Sequence, residues 1–204
     1  MEKKLTRKEQ AKVTKRNIYR AALELIETKG YENVSIEDIA QKANTAKGTF
    51  YLYFKSKQDL IYHTITMYDE IAENAYAKVK DLPTFEEQLV NYLHYANEAI
   101  EAIGEQILNA LLGHNLTETE KFVTVEKRSI YKALHKIIEK GYETGELSRE
   151  YDSSFYIELI VIFIQGLDYY WCNAGEGFHY VETSEREAKI FAKGLVLLYG
   201  AKEK

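Results

Sequence analysis

A short segment near the N-terminus carries side chains suited to contacting the groove of a nucleic acid. Lys47 can donate to guanine O6 and N7 or to a phosphate, and Tyr51 offers a hydroxyl and a ring edge. Gly48, between them, lets a partner approach the backbone closely. Phe50 and Phe54 are four residues apart, so they share a helix face that must pack inward. Lys47, Gly48 and Tyr51 are therefore predicted to lie on the outward face.

Hydroxyl and ammonium groups flank these three residues and suit contacts with phosphates. Thr49 and Tyr53 stand at the sides of the same short helix, and Lys57 directly follows Ser56, a residue that can cap the next helix. A helix start exposes backbone amides and a partial positive charge, which would reinforce the attraction of Lys57 for phosphate. The segment thus combines candidate base contacts with candidate backbone contacts.

The elements that must position this segment are two short helices joined by a tight turn. Apolar residues at Ile36, Ile39, Ala40 and Ala43 have the i, i+3, i+4, i+7 spacing of an amphipathic helix. Asn44 begins the turn, where its tolerance of a positive φ is useful. Helices joined by so short a turn cross steeply, and this arrangement lets the second helix lie in a DNA major groove.

The segment resembles the signature of the TetR family of regulators. In that family a helix of the form T-[IV]-x-[DE]-I-A-x-x-A is followed by G-V-S-x-G-x-x-Y-x-[YH]-F-x-x-K-x-x-L. Here SIEDIAQKA is followed by NTAKGTFYLYFKSKQDL. The shared positions are Ile36, Asp38, Ile39, Ala40, Ala43, Gly48, Tyr51, Tyr53, Phe54, Lys57 and Leu60. The match covers about 26 residues in order, spacing and chemistry.

The resemblance implies a role for eight residues. The sequence also departs from the family pattern at three positions. Asn44 replaces the usual glycine, Ala46 the usual serine, and Leu52 a frequent aromatic residue. Ala46 lacks a hydroxyl that could cap the recognition helix, so Thr45 is the alternative cap, and Leu52 could pack on a thymine methyl group or inside the protein. The implied base contacts are Lys47, Gly48 and Tyr51, and the implied phosphate contacts are Ser35, Thr45, Thr49, Tyr53 and Lys57.

Helix starts are legible along the whole chain. A Ser or Thr followed three residues later by Asp or Glu can satisfy the orphan amides of a helix N-terminus reciprocally. Six such boxes are Thr6/Glu9, Ser35/Asp38, Ser56/Asp59, Thr84/Glu87, Thr117/Glu120 and Ser184/Glu187. Strand-like alternation is absent, and the chain has one proline. We predict an all-α fold of about nine helices, with a three-helix helix-turn-helix domain first.

The charge distribution divides the chain. Residues 1–60 hold 13 Lys and Arg against 8 Asp and Glu, whereas residues 61–204 hold 14 against 24. A basic N-terminal part (residues 1–60) followed by an acidic part (residues 61–204) indicates that the N-terminal part binds a polyanion. We therefore expect a DNA-binding domain at 1–60 and a ligand-binding and dimerisation domain at 61–204.

Two apolar helices are expected to pair with a second copy of the chain. The helix from Ser153 to Asn173 is apolar nearly all round and must be covered all round. The resemblance implies that this helix and the last one, from Ser184 to Tyr199, form a four-helix bundle in a homodimer. Such a dimer would bind a near-palindromic operator.

The resemblance also implies a cavity for a small-molecule effector among the middle helices. Abundant tyrosines and an acidic body favour an aromatic or cationic effector. Effector binding would spread the recognition helices, through the helix from Ser56 to Lys80, and release DNA. The expected cavity walls are Tyr68, Tyr95, Asn109, Leu112, Tyr131, Phe163, Leu167 and Trp171.

Other classes of function have little support in the sequence. The five histidines lack the i, i+4 pairing of a metal site, and no glycine-rich phosphate loop or nucleophile elbow is present. Cys172, the lone cysteine, follows Trp171 in an apolar helix, which suits an inert thiol in the cytoplasm better than a nucleophile. We expect no enzyme, cofactor, metal or membrane span. The expected function is a ligand-responsive repressor of double-stranded DNA; an activator of the same fold and a helical adaptor without DNA binding remain alternatives.

Overall fold

The computed structural model describes residues 6–117 and 127–201. Within these ranges the chain forms nine α-helices and no strand, which confirms the all-α prediction. The helices are α1 Arg7–Lys29, α2 Ile36–Lys42, α3 Lys47–Tyr51, α4 Gln58–Val79, α5 Phe85–Ile103, α6 Glu105–Thr117, α7 Ser129–Thr144, α8 Ser153–Ala174 and α9 Tyr180–Tyr199.

Local capping explains where the first helices begin. Thr6 and Ser35 each accept the amide of the residue three positions later, and the Glu9 and Asp38 carboxylates accept the amides of these caps in return. Before α5, Thr84 accepts the amide of Glu87 at 3.1 Å. Before α4, Ser56 accepts an amide in the same way. These four predicted helix starts are confirmed to within two residues.

Two predicted helix starts are wrong. Thr117 is the last residue of α6, and α7 begins at Ser129; Glu120, its expected partner, lies outside the described residues. Ser184 lies inside α9, which begins at Tyr180. The Ser184 hydroxyl is buried and receives a hydrogen bond from the Asn97 amide of α5, so it does not cap a helix.

The described residues form two compact units. One unit contains the residues up to Ile65 together with Ile103–Thr117, and the other contains Thr66–Ala102 together with the described residues after Thr117. We call them the N-terminal unit and the body. Helix α4 is continuous from the first into the second, because Ile65 and Thr66 are consecutive residues within it.

The core of the N-terminal unit holds the two short helices in place. Ile18 and Ala22 of α1, Ile39 of α2, Phe50 of α3 and Leu60 of α4 are almost completely buried. Burial of such side chains contributes roughly 1.5 to 3 kcal/mol each for the larger ones. The short helices α2 and α3 are therefore stabilised by packing, since helices of seven and five residues are marginal alone.

Helix α6 joins the N-terminal unit through a contact that is distant in sequence. The Glu27 carboxylate of α1 accepts the amide of Gln106 at 3.1 Å, in the first turn of α6. Burial raises the pKa of Glu27. Gly104, just before α6, has φ 116°, and a Cβ at this position would lie 2.1 Å from a carboxylate oxygen of Glu27. A glycine is thus required at Gly104.

The body is a second helical core built from α4, α5, α7, α8 and α9. Its buried side chains include Tyr92, Leu134, Ile160 and Ala192. Helix α8 is long and apolar enough to cross a membrane by length and composition, with a mean hydropathy of 1.2 in its most apolar window. Its inner face, which includes Tyr156, packs within this core.

Candidate nucleic-acid interface

The turn between α2 and α3 has the geometry that the sequence predicts. Asn44 has φ 53°, the one positive φ at a residue other than glycine in the described part of the chain. The Thr45 amide donates to the Ala40 carbonyl at 2.9 Å and closes the turn. Helix α3 begins three residues after Asn44, so the connection between the two short helices has the length of the turn in a helix-turn-helix.

Helix α3 separates a buried aromatic face from an open one. Phe50 and Phe54 are 0% and 3% exposed, and their ring centroids lie 5.6 Å apart. Lys47, Gly48 and Tyr51 are exposed, as their spacing predicts. A Cβ placed on Gly48 would meet no atom within 4 Å. Packing within the chain therefore does not require a glycine at this position, and the open face is available to an external partner.

Lys47 has an acidic partner that sequence reasoning missed. Its ammonium group donates to the Glu37 carboxylate of α2, and both side chains are more than half exposed. The hydrogen bond and the charge of Lys47 lower the pKa of Glu37, and the same contact raises the pKa of Lys47. The pair is thus fully charged at neutral pH. Exposed ion pairs of this kind are weak, so a phosphate or a guanine can replace Glu37.

Lys57 is held by Tyr31 of the α1–α2 connection. Its ammonium group donates to the Tyr31 carbonyl at 2.7 Å and lies 4.1 Å from the centroid of the Tyr31 ring. The charge of Lys57 is therefore oriented before any ligand binds. No local pattern in the sequence indicates this contact, because the two residues are 26 positions apart.

The remaining predicted phosphate contacts differ in accessibility. The Ser35 hydroxyl caps α2 and donates to Asp38 at 2.6 Å, while Thr49 and Tyr53 are half-buried at the edges of α3. The Thr45 hydroxyl is buried and has no hydrogen-bond partner among the described residues. Thr45 does not cap α3: the cap position is Ala46, which makes no side-chain hydrogen bond. In this conformation Thr45 offers no exposed hydroxyl to a phosphate.

Leu52 lies on the outside of the protein. It is 79% exposed at the C-terminal end of α3. The structure thus removes the interpretation in which Leu52 packs inside. An exposed leucine at this place is suited to contact with a thymine methyl group.

The eight residues expected to line an effector cavity fall in different parts of the chain. Asn109 and Leu112 lie on α6 in the N-terminal unit, where Asn109 is exposed. In the body, Tyr131 lines a cavity of about 390 Å³ between α7 and α8, together with Ile157 and Val161. The other five do not line this cavity; they are Tyr68, Tyr95, Phe163, Leu167 and Trp171.

Several of these body residues are in contact with another side chain through their aromatic rings. The Phe163 ring stacks on Phe191 with a centroid distance of 4.5 Å, and the Lys78 ammonium group lies 4.1 Å from the centroid of Tyr95. Trp171 stacks on Tyr180 at 4.1 Å and is almost completely buried. These contacts are those of a packed aromatic core, into which an aromatic ligand could also stack.

Beside this aromatic stack lies a buried carboxylate that sequence reasoning did not select. Asp168 of α8 is 8% exposed and accepts the Tyr180 hydroxyl at 2.5 Å. Burial raises its pKa to about 6. No lysine, arginine or histidine forms an ion pair with Asp168 in the described ranges. Buried charges without a cationic partner are costly, so such a carboxylate is a candidate for a functional contact.

Helices α8 and α9 leave large apolar side chains exposed. On α8 these are Ile162, Tyr169 and Tyr170, and on α9 they are Ile190, Leu197 and Leu198. Each is at least 60% exposed within the single chain. Gly166 and Gly194 lie on the same two helices, and a Cβ at either position would meet no atom within 4 Å. A helix from another molecule could therefore approach closely on these faces.

Comparison with known proteins places the helix-turn-helix in a defined family. Residues 18–63 match the family described as bacterial regulatory proteins, tetR family. This range runs from α1 through α2 and α3 into the start of α4. The open face of α3 therefore lies within the residues that match this family.

Similarity to regulators extends over most of the chain. The uncharacterized HTH-type transcriptional regulator YvdT of Bacillus subtilis is 28% identical over 185 residues, which cover 86% of this chain and 88% of that protein. The fatty acid metabolism regulator protein of Bacillus subtilis is 26% identical over 184 residues, covering 86% of this chain and 92% of that protein.

Solved structures share the fold of most of the chain. The regulator FadR from Bacillus subtilis, in complex with stearoyl-CoA, has a TM-score of 0.67 and 22% sequence identity, with coverage of 88% of this chain and 98% of that one. The TetR-family transcriptional regulator PfmR from Thermus thermophilus has a TM-score of 0.63 and 19% identity, with coverage of 87% and 98%.

Proposed function

We propose that the chain is a TetR-family transcriptional regulator rather than an enzyme, and that it acts as a ligand-responsive repressor in the cytoplasm. In this proposal a homodimer binds a near-palindromic operator and releases it when a small-molecule effector binds the body. The observation that carries the proposal is the open face of α3, where Lys47, Gly48 and Tyr51 are exposed on a helix fixed by a tight turn.

The chemistry of this face supports separate roles for its residues. Lys47 and Tyr51 are assigned to base edges and Gly48 to close approach of the backbone. The proposed DNA-binding domain comprises residues 1–60. The proposed phosphate contacts are Ser35, Thr45, Thr49, Tyr53 and Lys57, although Thr45 must first expose its hydroxyl. Lys57 is the best supported of these five, because Tyr31 already orients its ammonium group.

The exposed apolar faces of α8 and α9 support the proposed homodimer. Six large apolar side chains on two adjacent elements of the chain would otherwise face water. A two-fold interface would cover both faces at once and place two recognition helices for two half-sites.

Two effector classes have support. Asp168, next to the stack of Trp171 on Tyr180, favours a cationic aromatic compound, because a carboxylate and aromatic faces both attract cations. A long-chain acyl-CoA is the second candidate, because FadR was solved with stearoyl-CoA and a relative is a fatty acid metabolism regulator. The remaining proposed cavity residues are Tyr68, Tyr95, Asn109, Leu112, Tyr131, Phe163 and Leu167.

The experiment that tests DNA recognition is a binding titration with labelled fragments from around the protein's own gene, at two salt concentrations. Lys47→Ala and Tyr51→Ala should each weaken specific binding at least tenfold. Lys132→Ala, on the exposed surface of α7, is the matched control and should bind as the wild type does. A folded dimer that binds no fragment would instead favour a helical adaptor.

The effector is tested on the protein–DNA complex. Tetraphenylphosphonium and stearoyl-CoA represent the two classes, and loss of DNA binding is measured for the wild type and for Asp168→Asn. Release by the cation in the wild type alone would support the cationic class. Release by stearoyl-CoA in both proteins would support the acyl-CoA class. A promoter reporter then separates repression from activation.

A further inference from the structure

The first half of α1 carries five cations against one carboxylate within ten residues. The cations are Arg7, Lys8, Lys12, Lys15 and Arg16. All are exposed except Lys15, which is half-buried, and no ion pair holds any of them within residues 6–117 and 127–201. The carboxylate of Glu9 is already engaged, because it accepts the backbone amide of Thr6 at 2.7 Å. We call residues 7–16 the basic arm.

Three lysines of the basic arm form a stripe on one face of α1. Lys8, Lys12 and Lys15 follow the i, i+4, i+7 spacing of a single helix face. The same spacing continues through Tyr19 and Ala22, which are buried in the core of the N-terminal unit. The face of α1 that packs against the helix-turn-helix therefore continues towards the N-terminus of α1. There it consists of a row of lysines that lies outside the core.

The stripe begins beside the recognition helix. The Lys15 ammonium group lies 5.4 Å from the centroid of Phe54, which in turn contacts Phe50 of α3. Lys12 and Lys8 follow one and two turns further along the arm. The stripe spans about 11 Å of helix, over which one strand of B-DNA presents roughly three phosphates.

We propose that the basic arm binds the phosphate backbone of the operator beside the base pairs contacted by α3, without reading their sequence. The inference rests on the proposed function, since it requires α3 to dock on duplex DNA. DNA is the partner that fits, because the stripe shares one compact unit with the open face of α3 and consists of lysines, which attract phosphates as point charges.

The test is the salt dependence of operator binding by full-length protein. Lys8→Gln combined with Lys12→Gln removes two charges, while glutamine keeps a helix propensity close to that of lysine. Lys132→Gln combined with Lys136→Gln is the control, because it removes two lysines at the same spacing from the exposed surface of α7. Circular dichroism verifies that both variants keep the helical content of the wild type.

In the proposed homodimer the arm variant removes four charges, two from each chain, so the slope of log K against log salt should fall by about 3.6, since each lost phosphate contact on B-DNA contributes about 0.9. Its affinity at low salt should fall at least tenfold for operator and for unrelated duplex alike, which leaves the ratio between the two affinities unchanged. A slope equal to that of the control would overturn the role of the arm while the repressor proposal stands. A wild type that does not distinguish operator from unrelated duplex would overturn both.

Discussion

Lys47 donates to the carboxylate of Glu37 across the turn of the helix-turn-helix. The contact joins the first residue of the recognition helix to the second residue of α2. It keeps the lysine extended on the open face, but it also places a negative charge where DNA phosphates would approach. The pair therefore both orients Lys47 and opposes DNA binding.

Replacing this carboxylate should strengthen DNA binding. Glu37→Gln removes the competing charge while retaining a hydrogen-bond acceptor for Lys47. We expect operator affinity to rise roughly two- to fivefold at low salt, in keeping with the modest strength of exposed ion pairs. A labelled-operator titration measures the change, with Glu32→Gln on the preceding loop as an exposed control of equal charge. Unchanged or weaker binding by Glu37→Gln would show that orientation of Lys47 outweighs the repulsion.

Gly48→Ala should separate stability from recognition. A Cβ at Gly48 enters open space, and alanine favours a helix over glycine by about 1 kcal/mol, so the free energy of unfolding should stay equal or rise. Operator affinity should nevertheless fall at least tenfold, because the methyl group blocks close approach of the backbone. Thermal unfolding and DNA titration are compared on one preparation. Normal operator affinity would argue against contact at this position.

The exposed face of α9 should determine the oligomeric state. Leu197 is 85% exposed, and Leu197→Glu would bury a charge in a dimer but leave an isolated chain unaffected. We expect the molecular mass measured by sedimentation to shift from dimer towards monomer. Leu52→Glu is the control, because Leu52 is similarly exposed at 79% on the recognition helix. A Leu197→Glu protein that remains dimeric would place the interface elsewhere.

Asp168 should make folding stability depend on pH in the direction opposite to most carboxylates. Its pKa is about 6 in the folded chain, against an ordinary value of 3.8. Above pH 6 the Asp168 carboxylate is charged in both the folded and the unfolded chain. The folded chain therefore bears the full free-energy cost of burying this charge. As the pH falls through 6 the folded state takes up a proton first, so stability rises until about pH 4. The free energy of unfolding rises by about 3 kcal/mol over this range of pH.

Asp168→Asn isolates this contribution from that of the other carboxylates, since an amide can still accept the Tyr180 hydroxyl. The variant should be more stable than the wild type at pH 7, and its advantage should shrink as the pH approaches 4. Denaturant unfolding at both pH values measures the difference. An advantage that does not change with pH would mean that Asp168 keeps its proton state on unfolding.

The sequence predicts those features that depend on neighbouring residues. The caps at Thr6 and Ser35, the positive φ of Asn44 and the burial of Phe50 and Phe54 all follow from spacings of four residues or fewer, and the structure confirms them. The division between open and buried faces of α3 follows from the same local periodicity.

Features that depend on distant contacts could not be predicted in this way. Ser184 has the spacing of a helix cap, but tertiary contacts of Tyr180 with Asp168 and Trp171 begin α9 four residues earlier. Likewise, Glu27 caps α6 from 79 positions away and brings that helix to the N-terminal unit. Local patterns do not contain such pairings, because they arise only when the chain is folded.

The stacking of Trp171 on Tyr180 gives the body an optical signal of its own. Trp171 is the one tryptophan of the chain, and excitation at the red edge of its absorption band leaves the tyrosines dark. Its emission therefore reports on the surroundings of Trp171 and its stacking partner Tyr180, with no contribution from the residues that face DNA. The intrinsic fluorescence of Trp171 can therefore monitor the response of the body to a compound without a signal from the helix-turn-helix and without a label on the protein.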